Sequence, residues 1–145
     1  MIKKAEKSIL NRKARFDYSI EETLEAGLVL TGPEIKAIRN NHANIEGSYA
    51  KIIGGEVFLI GGNFNIAGGD FQRTKKMLLH KDQIDRLTGK LHEGGTALIP
   101  LKLYMSRGNA KVELALGKGL KKYDKREKLK KQDIDRDLRR KDKQY

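Results

Sequence analysis

The chain has 145 residues with 31 Lys and Arg against 19 Asp and Glu, a net charge of +12, and no cysteine. The missing cysteine excludes disulfides, thiolate catalysis and cysteine-ligated zinc, and the length allows a single core of roughly 115–120 residues but not two. No apolar run approaches the ~18 residues of a membrane span, and Met1–Leu10 is basic without a signal-type apolar stretch, so a cytosolic protein is expected.

The first periodic segment alternates Phe16, Tyr18 and Ile20 with Asp17 and Ser19 and resumes through Leu28–Leu30, which predicts one long strand bent or bulged near Gly27. Thr31-Gly32-Pro33-Glu34 then has the spacing of a capping box with proline in the first turn. With Ile35 and Ile38 three apart, it predicts a short helix ending near Asn40. Tyr49–Ile53, Gly54-Gly55 and Val57–Ile60 read as a hairpin. A glycine-rich loop follows from Gly61 to Gly69.

Beyond Arg73-Thr74-Lys75-Lys76 and Met77-Leu78-Leu79, a second helix is expected from about Lys81 with Ile84 and Leu87 inward and Gly89 as its left-handed stop. Thr96–Met105 and Ala110–Leu116, joined at Arg107-Gly108-Asn109, read as a final hairpin in which Val112, Leu114 and Leu116 alternate with Lys111 and Glu113. Strands outnumber helices and no βαβ rhythm appears. The fold class is therefore mainly β, a small antiparallel β-barrel with two short helices.

Gly119 is the last glycine, and the residues after it form a different physical object. Residues 118–145 hold 13 Lys and Arg against 6 Asp and Glu, a net of +7, whereas residues 1–117 hold 18 against 13. Residues 1–119 are thus expected to be a folded body and 120–145 a basic tail. The pairs Asp124–Lys128, Glu127–Lys131, Asp135–Arg139 and Asp137–Lys141 each contribute roughly 0.2–0.5 kcal/mol to a helix. That sum does not overcome nucleation in an isolated segment with so little to bury, so the tail should be coil when free and helical on a phosphate-lined surface. A polycationic arm points to nucleic acid, because each neutralised phosphate releases a counterion. A membrane is the weaker partner, since Leu120, Leu129, Ile134 and Leu138 are the tail's few aliphatic anchors.

Catalytic constellations are not found. His42, His80 and His92 lie on separate elements without metal-ligand spacing and read as cap, surface or phosphate-contacting residues. Lys90 and Lys118 follow glycines, but Ile84 and Val112 occupy the earlier glycine position of a phosphate loop. Asp133, Asp135 and Asp137 read as halves of ion pairs rather than as a magnesium site. No enzyme activity, metal or cofactor is expected.

The blocks Asn11-Arg12-Lys13-Ala14-Arg15-Phe16-Asp17-Tyr18, Glu25-Ala26-Gly27-Leu28-Val29-Leu30-Thr31-Gly32, Glu34-Ile35-Lys36-Ala37-Ile38-Arg39 and Ala43-Asn44-Ile45 with Ser48-Tyr49 resemble, in order, the opening of the SsrA-binding protein (SmpB) family. Arg73–Lys81 is similar to that family's R-x-R-K-L-L-L-H-K segment, and Lys118–Glu127 to its K-G-K-K-x-x-D-K-R signature. The resemblance runs from about Asn11 to the C-terminus. It departs at Leu120, where the family usually has lysine, and at residues 65–71, which are shorter and richer in glycine than the family's loop.

The resemblance implies a β-barrel of the oligonucleotide-binding type that binds the tRNA-like domain of transfer-messenger RNA and accompanies it, as a monomer, into stalled ribosomes for trans-translation. It further implies that the tail probes the decoding centre and the empty mRNA channel. It leaves open whether elongation factor Tu and alanyl-tRNA synthetase touch the protein or meet it only through the RNA. By place in the motifs, Asn11, Arg12, Glu25, Arg73, Lys75, Lys76, Leu78 and Lys111 would contact RNA: Glu25 by accepting from base amino groups, the cations on phosphates, Leu78 as an apolar surface under bases. Lys118, Lys121, Lys122, Tyr123, Asp124, Lys125 and Arg126 would contact the ribosome, with Tyr123 stacking on a base. A generic basic ribosomal-RNA-binding structural protein is the alternative.

Overall fold

The computed structural model describes residues 8–66, 69, 72–120, 126 and 129–131. Its elements are β1 (Ser8–Leu10), α1 (Arg12–Asp17), β2 (Tyr18–Leu28), α2 (Gly32–Arg39), β3 (Ala43–Asn44), β4 (Tyr49–Ile53), β5 (Glu56–Ile60), β6 (Asn63–Phe64), β7 (Lys75–Leu78), α3 (Lys81–His92), β8 (Thr96–Ser106) and β9 (Asn109–Gly119). The antiparallel order β8-β4-β5-β7-β2-β9 closes on itself through β8–β9 pairing, so the sheet is a six-stranded barrel with β1 added along the free end of β8. The small sheet β3–β6 stands apart from the ring.

Alternation builds this barrel. Val57, Leu59, Leu103, Val112 and Leu114 are fully buried on the inner face, and truncating one to alanine would cost about 2–5 kcal/mol. Leu87 of α3 and Ile38 of α2 join the same core. The β4–β5 turn places Gly54 and Gly55 both at positive φ, the two-residue geometry that matches strand twist. Arg107 and Gly108 do the same between β8 and β9. The capping box of α2 is formed: Thr31 Oγ1 accepts from the Glu34 amide at 3.4 Å and a Glu34 carboxylate oxygen accepts from the Thr31 amide at 2.8 Å.

Several local expectations are corrected. Phe16 and Asp17 lie in α1, and β2 begins only at Tyr18 and stops at Leu28, because Asn11 caps a helical turn that the alternating residues conceal. The irregularity in β2 falls between Ile20 and Glu22 rather than near Gly27. Helix α3 runs through Gly89 to His92, and the left-handed residues that end it are Gly94 and Gly95. The loop from Gly61 contains β6, two residues too short to carry a periodic signal. The alternation of β9 lapses at Ala115, buried on both faces because Ala14 of α1 packs outside the barrel over Ile99, Leu101 and Ala115.

Strand β9 stops at Gly119, and the Leu120 amide donates to the Asp17 carbonyl at 2.9 Å. Of the tail beyond, Arg126 and Leu129–Lys131 are helical and exposed.

Candidate nucleic-acid interface

Strand register assembles a mixed surface on the outside of β8, β9, β2 and β7. Tyr104 pairs with Lys111, Lys111 with Gly27, and Gly27 with Leu78, so one transverse row crosses four strands. The adjacent row holds Lys102, Glu113 and Glu25. Successive residues of a strand face opposite sides, so these polar positions point outward while Leu103, Val112 and Leu114 fill the core.

Leu78 is 55% exposed, the highest value among the large apolar residues of the barrel. It lies over Gly27: a Cβ there would stand 3.2 Å from that of Leu78, so the leucine would have to give by a few tenths of an ångström. The glycine therefore lets Leu78 lie flat on the sheet, an open apolar surface beside hydrogen-bonding groups.

Glu25 is held from two sides. The Tyr104 hydroxyl donates to its carboxylate, and the Lys111 ammonium stands 3.9 Å away. Burial, followed by that hydrogen bond and the nearby carboxylates Glu25 and Glu113, pushes the Tyr104 phenol up to about 12. Tyr104 thus remains a donor throughout the neutral range. Lys102 lies over the Tyr104 ring at 5.3 Å, and Arg15 of α1 reaches Glu113 at 3.9 Å. A carboxylate held between a lysine and a phenol is poorly suited to holding phosphate but well suited to accepting from the exposed amino group of an unpaired base.

Two of the residues expected to contact RNA, Asn11 and Lys75, are buried. Asn11 is 2% exposed and spends its polar atoms inside the protein. Its amide nitrogen donates to the carbonyls of Pro100 at 2.8 Å and Ile45 at 3.3 Å, its side-chain oxygen caps α1 by accepting from the Ala14 amide, and its backbone N–H donates to Leu101. Pro100 and Leu101 sit at the register shift of β8, where ladder partners are lost, so Asn11 serves as their replacement. Lys75 is fully buried: its ammonium donates to the Arg73 carbonyl at 2.6 Å, lies 3.6 Å from Glu34 and sits 4.1 Å from the Phe64 ring centroid. Strand parity explains it, since Lys75 and Met77 face inward and Lys76 and Leu78 outward.

Arg73 grips the buried carboxylate of Glu34 with two nitrogens, at 2.7 and 3.2 Å, while its side chain stays 41% exposed. Burial alone would raise the Glu34 carboxyl, but the hydrogen bonds from Arg73 and Thr31 and the charge of Lys75 prevail and hold it below the usual carboxylate range. Lys76 is exposed and reaches Glu56 at 3.3 Å. Arg12 is exposed on α1, and Lys118 is exposed at the end of β9, 3.9 Å from Glu21. Arg126 is exposed on helical backbone, whereas Lys121, Lys122, Tyr123, Asp124 and Lys125 lie outside the described residues.

The structure therefore brings Glu25, Lys111 and Leu78 onto one face and places Arg73, Lys75 and Lys76 around the neighbouring strand β7. Sequence reasoning missed Tyr104 and Lys102, although Leu101-Lys102-Leu103-Tyr104 carries the same alternation that exposed Lys111. The three histidines are far apart in role: His42 follows α2, His80 precedes α3 with its amide donating to Gln83, and His92 lies in the last turn of α3. Among the described residues no group of three or more His, Cys, Asp or Glu could hold a metal ion. Nor is any helix among them long and apolar enough to cross a membrane.

The model of the SmpB protein family matches residues 8–144. An SsrA-binding protein of Geobacillus thermodenitrificans is 51% identical over 136 residues, covering 90% of this chain and 88% of the relative. One of Caldicellulosiruptor bescii is 48% identical over 141 residues, covering 93% and 89%. Among solved structures, a chain described under "tmRNA-SmpB: a journey to the center of the bacterial ribosome" is similar with a TM-score of 0.68 and 41% identity, covering 79% of this chain and 85% of that one. A closed barrel with this outer face, matched over nearly its full length by that family's model and its members, belongs to the SmpB family.

Proposed function

We propose that this chain binds transfer-messenger RNA and carries it into stalled bacterial ribosomes for trans-translation. The relatives are SsrA-binding proteins, and the structural relative comes from a complex of transfer-messenger RNA, SmpB and the ribosome. The observation that carries the residue-level reading is the row Tyr104–Lys111–Gly27–Leu78 with Glu25 beside it: a carboxylate acceptor, a lysine, a phenol and a flat leucine on one rigid sheet. That combination suits splayed bases of a folded RNA loop. The tRNA-like domain is the part of the RNA it would hold. Arg12 and Lys76 supply phosphate contacts at the margins, and Arg73 contributes while tied to Glu34.

In the same reading the body and tail divide the work. The barrel grips the RNA, and residues 120–145, from the Lys118–Arg126 signature onward, enter the decoding centre and the vacant mRNA channel, with Tyr123 stacking on a ribosomal base. The protein acts by binding rather than by catalysis, in the cytoplasm. Competition gel shifts test this. Labelled transfer-messenger RNA should stay bound in the presence of excess ribosomal RNA fragments at moderate salt, and equal displacement by those fragments would leave only a generic basic protein.

A further inference from the structure

The barrel has a second outward face that the Glu25 row does not use. Strands β4, β5 and β7 present Tyr49, Lys51, Phe58 and Lys76 outward, since Ala50, Val57, Leu59 and Met77 between them are buried. Register places Lys51 opposite Phe58 and Phe58 opposite Lys76, so an aromatic ring is flanked on both sides by lysines. Tyr49 is 46% exposed, Ile53 51% and Val29 45%. With Leu78, these are four of the five large apolar residues exposed on the described barrel: Tyr49 and Ile53 on β4, Leu78 on β7, and Val29 just past the end of β2. A band of this kind is more than scattered surface hydrophobes and marks an interaction site.

Continuity says what covers it. The band meets the Glu25 row at Leu78, and Val29 follows directly, its amide donating to the Lys76 carbonyl at 2.9 Å. Register sets Lys51 and Lys76 on either side of Phe58; Lys76 also reaches the exposed Glu56 at 3.3 Å, and Lys51 has no ion pair among the described residues. At the far end Tyr49 and Tyr18 line a common hollow of about 260 Å³. Aromatic rings interleaved with lysines on a sheet are the equipment for stacking unpaired bases while neutralising the phosphates between them.

From this we infer that the outer face of β4–β5–β7 is a base-stacking surface for an unpaired stretch of transfer-messenger RNA, running on from the Glu25–Leu78 site. The inference rests on the function proposed above and adds a second contact region to it.

Full-length protein titrated with fluorescently labelled transfer-messenger RNA at fixed salt tests it, using Tyr49→Ala/Lys51→Ala with Leu78→Ala as a comparison and thermal melting to confirm folding. Loss of one stack and one phosphate contact should weaken the double variant about 10-fold or more. RNA substituted with 4-thiouridine should cross-link to the peptide holding Tyr49–Phe58. An affinity within twofold of wild type, with no cross-link there, overturns the inference while leaving the Glu25 site standing if Leu78→Ala still weakens binding. Cross-links at this band to ribosomal RNA or to a protein, but not to transfer-messenger RNA, overturn it equally. Failure of the unmodified protein to prefer transfer-messenger RNA removes both readings together.

Discussion

The Tyr104 hydroxyl reaches across β9 to donate a hydrogen bond to Glu25, so the carboxylate at the centre of the candidate interface is aimed by a residue two strands away. Tyr104→Phe should leave the melting temperature nearly unchanged and weaken binding of transfer-messenger RNA several-fold, because Glu25 is freed to wander rather than removed. Parallel thermal melts and binding titrations check this. The phenol's folded pKa is raised, chiefly by burial, so its ionisation leaves stability unaffected below its ordinary value near 10 and costs stability as pH climbs through about 12. Ultraviolet absorbance titration should place this tyrosine's ionisation near 12 and lower in Glu25→Gln.

Glu34 is the polar hub beneath the sheet, and its loss should cost far more than that of a surface carboxylate. Glu34→Ala leaves Lys75 buried without its counter-charge and should destabilise the protein by about 3–5 kcal/mol. Pairing it with Lys75→Met should recover part of that loss, which a double-mutant cycle by chemical denaturation would measure. The Glu34 carboxyl is held low, so its contribution is present at neutral pH and is lost as pH falls below about 4.5 and through its depressed folded value. Acid unfolding should accordingly begin at a higher pH in Arg73→Ala.

Lys75 and Lys76 are sequence neighbours with opposite fates, and salt dependence separates them. Lys76→Ala should lower the slope of log K against log salt by roughly 0.7–0.9, the share of one phosphate. The buried Lys75 contacts no solvent, so Lys75→Met should leave the slope unchanged.

Asn11 supplies a cap and two carbonyl partners, so its substitution should read out in folding rather than directly in RNA contact. Asn11→Ala should cost about 1–3 kcal/mol. Asn11→Asp should be no better, although it keeps the cap oxygen, because its second oxygen would oppose the Pro100 carbonyl that Asn11 now satisfies at 2.8 Å. Denaturation midpoints of the two variants decide the matter.

Ending the chain after Gly119 should leave RNA binding within a few-fold of the intact protein while abolishing tagging of stalled peptides. Strand β9 ends at Gly119, and the truncation removes from the described barrel only the Leu120 amide's hydrogen bond to the Asp17 carbonyl. Binding titrations and a tagging assay on the same truncated protein check the two halves of this statement.

The sequence was legible wherever one face of an element repeated over several residues. The capping box at Thr31–Glu34, the Gly54-Gly55 hairpin and the alternation through Val112, Leu114 and Leu116 all stand where their chemistry indicated. Legibility failed where tertiary contacts set the outcome. Helix α1 is hidden because its cap, Asn11, is stabilised by Pro100 and Ile45, distant in the chain, and Gly89 stays helical because the stopping glycines lie further on. On the site, motif position singled out Asn11 and Lys75 alongside Glu25 and Leu78. Motif position does not report strand parity, and parity is what turned Lys75 inward and Leu78 outward. Tyr104 was overlooked because its role exists only once β9 brings β8 and β2 within reach.

The most direct test of the account is the affinity of the isolated tRNA-like domain for intact protein, Leu78→Ala and Lys75→Met, measured by fluorescence anisotropy at one salt concentration. Leu78→Ala should bind at least several-fold more weakly with its fold intact, and Lys75→Met, where it remains folded, should bind like the intact protein. Undiminished binding by Leu78→Ala, with loss in a folded Lys75→Met, would contradict the placement of the RNA on this outer face.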